Sequence, residues 1–267
     1  MATSQWDNFL RNLGEWQGCF CNLNADGLEL DTTPSILTLE QDNTERLVRF
    51  RLRRYGAGGY SSEPIRDYSQ EYRSLGRQVM FFETGSFSKG SLQLAPGTAF
   101  GAEFGFVEAD RRHRLVQLFS PAGAFESLVL IRESRAGSQA PERPPLAWEN
   151  LVGHWSGQAA TLTAAWPEPE LAICEIQIEQ GEAAHIQIRT QLGELSEAGG
   201  GATTKLLLLP DSGYSLVPPQ LSHRQAFEVE AGWLAAPDRL ERLIRRYDAS
   251  GAWLSATQII ATRSRAQ

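Results

Sequence analysis

Three cysteines (Cys19, Cys21 and Cys174) in 267 residues are odd in number and too few for a disulfide framework. Basic charge is short as well. Twenty-five Lys and Arg against 32 Asp and Glu leave a formal net charge of -7, which argues against broad electrostatic capture of nucleic acid or anionic membrane. No apolar run approaches the roughly 18 residues of a membrane-spanning helix. The opening MATSQWDNFLRNLG has neither the basic nor the apolar region of a secretory signal, so a cytoplasmic protein is expected. Catalytic signatures are missing too. The four histidines (His113, His154, His185 and His223) are scattered, and no H-E-x-x-H, G-x-S-x-G, P-loop or dinucleotide fingerprint occurs. No metal site and no nucleophile–base pair can be named, which leaves enzymatic activity open. What is present, 42% hydrophobic and 21% charged residues, is the mixture of an ordinary folded chain long enough for two domains.

The chain repeats itself. Trp6-Asp7-Asn8-Phe9 followed by Gly14-Glu15-Trp16-Gln17-Gly18 returns as Trp148-Glu149-Asn150-Leu151 followed by Gly153-His154-Trp155-Ser156-Gly157. At a constant offset of 128, Asp110, Arg111, Arg114, Gly123, Ser127 and Arg135 match Asp238, Arg239, Arg242, Gly251, Ser255 and Arg263. A one-residue slip aligns Glu103 with Glu230. An ordered series at one offset marks a duplication. The Pro-rich stretch between the copies reads as a linker over 138–147, with one domain in 1–137 and the other in 148–267.

Trp6, Phe9, Leu10 and Leu13 share one face of a short helix, with Ser4 and Asp7 forming a capping box and Gly14 as its stop. Residues 147–153 offer a shorter version. The rest of each copy reads as eight or nine short strands broken by turn residues, with no intervening helices, which suggests a sandwich or an up-and-down barrel. Consecutive hairpins favour the barrel, whose closure would remove the sheet edges.

A helix feeding G-x-W on the first strand, with an arginine ending the last strand, resembles the calycin (lipocalin) pattern. That resemblance implies an all-β fold of two tandem lipocalin-like antiparallel up-and-down barrels, each preceded by a short helix. It also implies that Arg135 covers Trp16 and Arg263 covers Trp155 at the barrel ends, with Arg132 as the competing partner of Trp16. The stretch from Glu230 to Tyr247, with Phe87-Ser88-Lys89-Gly90 and Leu206–Asp211, is similar to a cyanobacterial family of unknown function built as tandem lipocalin-like barrels. More distantly it resembles the S-type phycobiliprotein lyases, which attach bilins to cysteines of phycobiliprotein subunits.

Candidate sites follow from pattern. Glu103 with Arg114, and Glu230 with Arg242, occupy equivalent places and read either as ligand-orienting ion pairs or as packing pairs of the duplicated frame. Arg49, Arg51 and Arg53 alternate with Val48, Phe50 and Leu52, so all three share one face of a strand. Facing inward, with Tyr68 nearby, they could hold the propionates of a bilin; facing outward, they are a solvated surface. Cys19 and Cys21 also share a face, which suits a transient bilin thioether or a metal pair, but nothing nearby supplies further metal ligands and small core residues are the simpler reading. The leading expectation is a binding protein for a bilin or another apolar anion. The alternatives are a lyase-like role with a phycobiliprotein subunit as partner, and a ligand-free scaffold or assembly factor.

Overall fold

A computed structural model of the chain describes residues 3–42, 44–164, 168–180, 186–193, 195–199 and 204–264; for residue 186 and residues 195–199 it describes the backbone. Helix α1 (Gln5–Leu10) starts as expected. The Ser4 hydroxyl accepts from the Asp7 backbone N–H, and the Asp7 carboxylate accepts from the Ser4 N–H. It ends at Arg11 rather than at Gly14.

The first copy then forms β1 (Gly14–Asn24), β2 (Glu29–Gln41), β3 (Val48–Arg54), β4 (Arg66–Tyr72), β5 (Val79–Phe81), β6 (Phe87–Gly90), β7 (Phe100–Glu108), β8 (Arg111–Phe119) and β9 (Phe125–Arg135). The second forms β10 (Gly153–Thr163), β11 (Glu170–Gln180), β12 (Ile186–Leu192), β13 (Leu195–Gly199), β14 (Lys205–Leu208), β15 (Gly213–Val217), β16 (Phe227–Ala236), β17 (Arg239–Tyr247) and β18 (Trp253–Arg263). A single 3₁₀ turn at Trp148–Asn150 replaces the helix expected before the second copy.

Each copy makes one curled sheet. The orders are β4-β3-β2-β1-β9-β8-β7-β6-β5 and β13-β12-β11-β10-β18-β17-β16-β15-β14, so first and last strands are neighbours in both. The two barrels are therefore up-and-down, as the run of hairpins implied. Edges remain, because β4 and β5 are the ends of the first sheet and β13 and β14 the ends of the second.

The repeated G-x-W-x-G motif has a backbone reason. Gly14 (φ +118°) and Gly153 (φ +133°) adopt a conformation that side chains resist. A Cβ on Gly18 would lie 1.9 Å from the Arg132 carbonyl oxygen, and one on Gly157 would lie 2.0 Å from that of Ile260. Only glycine lets the first strand come that close to the last.

Compactness divides the chain differently from the sheets. One unit holds Met1–Lys89, Glu103–Gln117 and Ser127–Glu142; the other holds Gly90–Ala102, Leu118–Glu126 and Arg143–Gln267. The second unit thus includes two excursions of the first sequence copy. Within it Leu94 N donates to Gly251 O (2.8 Å) and Leu221 N to Gly123 O (2.8 Å), an exchange that matches the repeat offset. Its aromatic cluster joins Phe100 and Phe227 to Tyr247, with ring centroids 5.1 and 4.7 Å from that ring. Tyr247 also donates to Ser91 O at 2.8 Å.

Candidate functional site

Inward-facing side chains of the first unit enclose a cavity of about 540 Å³. Period-two alternation along the strands builds its wall. Phe20 from β1, Leu37 and Leu39 from β2, and Phe50 and Leu52 from β3 all point inward. Phe9 from α1 closes one side, 5.1 Å from the Phe81 ring. Tyr68 and Tyr72 of the β4 edge, Val79 of the β5 edge and Lys89 of β6 also line it. The half-exposed Tyr68 and Lys89 mark the open side, where the two ends of the sheet come to the cavity.

The polar part of the wall is a charge cluster. Glu133 on β9 is fully buried and accepts from Arg112 Nε (2.7 Å), Arg114 Nε (3.0 Å) and Arg114 Nη2 (3.0 Å). Arg114 Nη1 donates to Glu103 Oε1 at 3.0 Å, and Lys89 Nζ stands 3.7 Å from Glu103 Oε2. Burial alone would raise the Glu133 pKa; the Arg112 and Arg114 guanidinium groups overcome it and hold the carboxyl at about 2. Burial pushes Arg112 down against the pull of Glu133. Among the described residues, Arg112 Nη2 is buried and has no hydrogen-bond partner.

Beneath this cluster lies Trp16, fully buried, its Nε1–H donating to Asn12 O at 2.9 Å. Arg135 covers one region of the indole at 4.3 Å and Arg112 another at 4.5 Å. The second unit repeats the arrangement: Trp155 Nε1 donates to Leu151 O at 2.8 Å, and Arg263 stacks at 4.1 Å. Arg135 Nη1 donates to Leu13 O and Arg263 Nη1 to Val152 O, both at 2.6 Å.

A solved structure decides the family. A protein of unknown function from the DUF3598 family of Nostoc punctiforme PCC 73102 is 37% identical, over 98% of this chain and 100% of that one, with a TM-score of 0.89. The chain belongs to the DUF3598 family. Its residues 2–138 match the family's N-terminal domain of unknown function. Residues 142–264 of this DUF3598 chain match the C-terminal domain of "Biogenesis factor required for ATP synthase 1". Two further solved structures are far more distant. A putative outer membrane protein of Bacteroides fragilis NCTC 9343 is 7% identical (98% of this chain, 100% of that one, TM-score 0.29). The S-type phycobiliprotein lyase CPES of Guillardia theta is 10% identical (99% and 95%, TM-score 0.20). No curated protein matches.

The fold of this DUF3598 chain sorts the residues singled out from sequence. Glu103, Arg114 and Tyr68 line the cavity. Arg49, Arg51 and Arg53 do not. They line a separate groove on the opposite face of β3, because Val48, Phe50 and Leu52 take the inward positions. Each pairs with an acid there: Arg49 with Asp42 (3.0 Å), Arg51 with Asp67 (2.6 Å) and Arg53 with Glu15 (3.3 Å). Arg132 lies against the cysteines, leaving Trp16 to Arg135 and Arg112.

In the second unit Glu230 and Arg242 satisfy each other through two bonds of 2.7 and 2.8 Å; Arg242 also donates to Thr190 Oγ1 (2.7 Å), and Tyr214 donates to Glu230 (2.5 Å). Burial, then the Glu230 charge, pushes the Tyr214 phenol well up. His185 lies outside the described residues, and among those described no helix is long and apolar enough to cross a membrane. Sequence reasoning missed Arg112 and Glu133. Their signal was period two, which puts Arg112 beside Arg114 and Glu133 between Ile131 and Arg135 on inward faces.

Proposed function

We propose that the first unit binds an amphipathic small molecule whose acceptor or anionic end meets Arg112. The observation that carries this is Arg112, a lining residue whose Nη2 has no hydrogen-bond partner among the described residues, where the charge cluster meets the aromatic and aliphatic part of the wall. A buried donor without an acceptor costs about 1–3 kcal/mol, which a ligand oxygen would recover. Lys89, Arg112 and Arg114 on the lining, against Glu103 there and Glu133 buried behind it, leave one surplus positive charge at the wall, which favours a monoanion. The volume suits a ligand of drug-like size. Glu103, Arg114 and Tyr68 are the proposed supporting contacts. A bilin, with two propionates, exceeds the single surplus charge of this lining, and the arginine stripe that would hold them faces outward.

Titrating the protein with phycocyanobilin, a long-chain fatty acid and a neutral apolar dye, followed by fluorescence and thermal stabilisation, tests the reading. Binding that weakens about tenfold or more in Arg112→Met supports it. No stabilisation by any of the three refutes it.

An assembly factor acting on another protein is the second reading. It draws support from the match of residues 142–264 to the C-terminal domain of an ATP synthase biogenesis factor. Strand β11 also exposes Leu171 (69%) and Ile173 (71%). Gel filtration with purified ATP synthase subunits tests it: co-elution lost in Leu171→Glu is the expected result, and separate elution with wild-type protein counts against it.

A further inference from the structure

Cys19 and Cys21 stand on the face of β1 opposite Phe20 and the cavity. Their sulfur atoms are 3.4 Å apart. Arg132, paired directly with Cys19 across β1 and β9, places Nη2 3.1 Å from Cys21 Sγ and 3.6 Å from Cys19 Sγ. Glu142 holds the other arm of that guanidinium at 2.9 Å. Tyr60 reaches over this face, donating to Gly18 O at 2.9 Å.

The duplicated frame does not need this trio. In the second copy the register positions of Cys19, Cys21 and Arg132 hold Gln158, Ala160 and Ile260, and β10 pairs with β18 in the same way. A guanidinium beside two sulfurs favours a thiolate and repels a metal cation. Among the described residues no group of three His, Cys, Asp or Glu side chains could hold a metal.

We propose that Cys19 and Cys21 form a peroxide-oxidisable dithiol that closes to an intrastrand disulfide. The thiolate that the pair shares attacks the peroxide oxygen from the partly exposed Cys19, the shared proton passing to Cys21; the O–O bond breaks, and sulfenic acid and hydroxide form. Cys21 then displaces the sulfenic oxygen, which leaves as water. Two thiols and one hydrogen peroxide thereby give one disulfide and two waters.

Two residues apart on a strand, the Cα atoms lie about 6.6–6.8 Å apart, at the upper limit of disulfide spans. Bonds near that limit are readily reduced, which makes the change reversible. The charged and titratable groups facing the pair are Arg132, with Glu142 behind it, and Tyr60. Hydrogen bonding from Cys19, against burial and with help from Thr32 and Arg132, lowers Cys21 to about 6. The same bond, then burial, raises Cys19, so the pair shares one ionisation and one proton between its sulfurs. Burial, with Cys19 nearby, pushes the Tyr60 phenol up.

The test exposes reduced full-length protein to hydrogen peroxide at pH 7, traps remaining thiols with N-ethylmaleimide and weighs the peptides. The peptide carrying Cys19 and Cys21 loses about 2 Da and both labels, and regains them with dithiothreitol. Cys174, buried and raised to about 11 by that burial, stays labelled as an internal control. Arg132→Met slows closure about tenfold or more. Should that variant misfold, the wild-type rate against pH decides, with half-maximal closure near pH 6. Closure that begins only above pH 8, or peroxide treatment that leaves both labels in place, overturns the proposal.

Discussion

Replacing Glu133 by glutamine removes a carboxylate that faces two buried guanidinium groups at once, and the cost can be worked from its ionisation. The ordinary glutamate value of 4.5 falls to about 2 in the folded protein. At about 1.4 kcal/mol for each pKa unit, the folded state gains roughly 3 kcal/mol from the ionised form. That agrees with the roughly 3–5 kcal/mol seen when one partner of a buried pair is removed. Because the folded value is depressed, the contribution is complete above the unfolded value near 4.5 and fades as pH falls toward 2. Urea unfolding followed by near-ultraviolet circular dichroism, for wild type and Glu133→Gln at pH 7, 4 and 3, reads this directly. At pH 7 the variant should lose about 3 kcal/mol, about 6–12 °C in thermal midpoint for a domain of this size. The gap should narrow at pH 4 and again at pH 3. A loss below about 1 kcal/mol at pH 7, or one that is the same at all three pH values, would refute the reasoning.

The two buried indoles should behave alike: Trp16→Ala and Trp155→Ala each cost about 3–5 kcal/mol in denaturant unfolding, and near-neutral behaviour of either would contradict the end-plug geometry. Arg135→Ala and Arg263→Ala should cost less, about 1 kcal/mol, since each guanidinium keeps partial contact with water. Expressed alone, residues 143–267 lack the Phe100 ring that packs on Tyr247, so this fragment should bind a hydrophobic dye and show a broadened melt; a sharp, dye-free transition would argue against the interleaved unit.

Much of the fold was legible because duplication writes each constraint twice. The pairing of Trp16 with Arg135 and of Trp155 with Arg263 followed from the resemblance to the calycin pattern, which the repeat presents twice, and the cross-strand register joins both pairs. Gly14 was misread as a helix stop because one glycine signal serves both a helix end and a strand start with positive φ. The cavity was harder. Arg112 and Glu133 have no echo in the second copy, where Leu240 and Ala261 stand at the same offset, so a search for repeats passes over them. The arginine stripe on β3 was visible, but which face looks inward depends on the curl of the whole sheet. Alternation alone does not say which side is filled.

In each copy the opening strand pairs with the strand that follows it but gains its second neighbour only from the closing one, as Trp16 beside Arg135 and Trp155 beside Arg263 make plain. On the ribosome, β1 must therefore wait for a strand that emerges about 120 residues later, some 6–24 s at ordinary rates of synthesis. Until then Cys21 and the indole side are both uncovered, so the nascent chain passes through a window in which a chaperone, or premature oxidation, can reach side chains that the finished barrel buries.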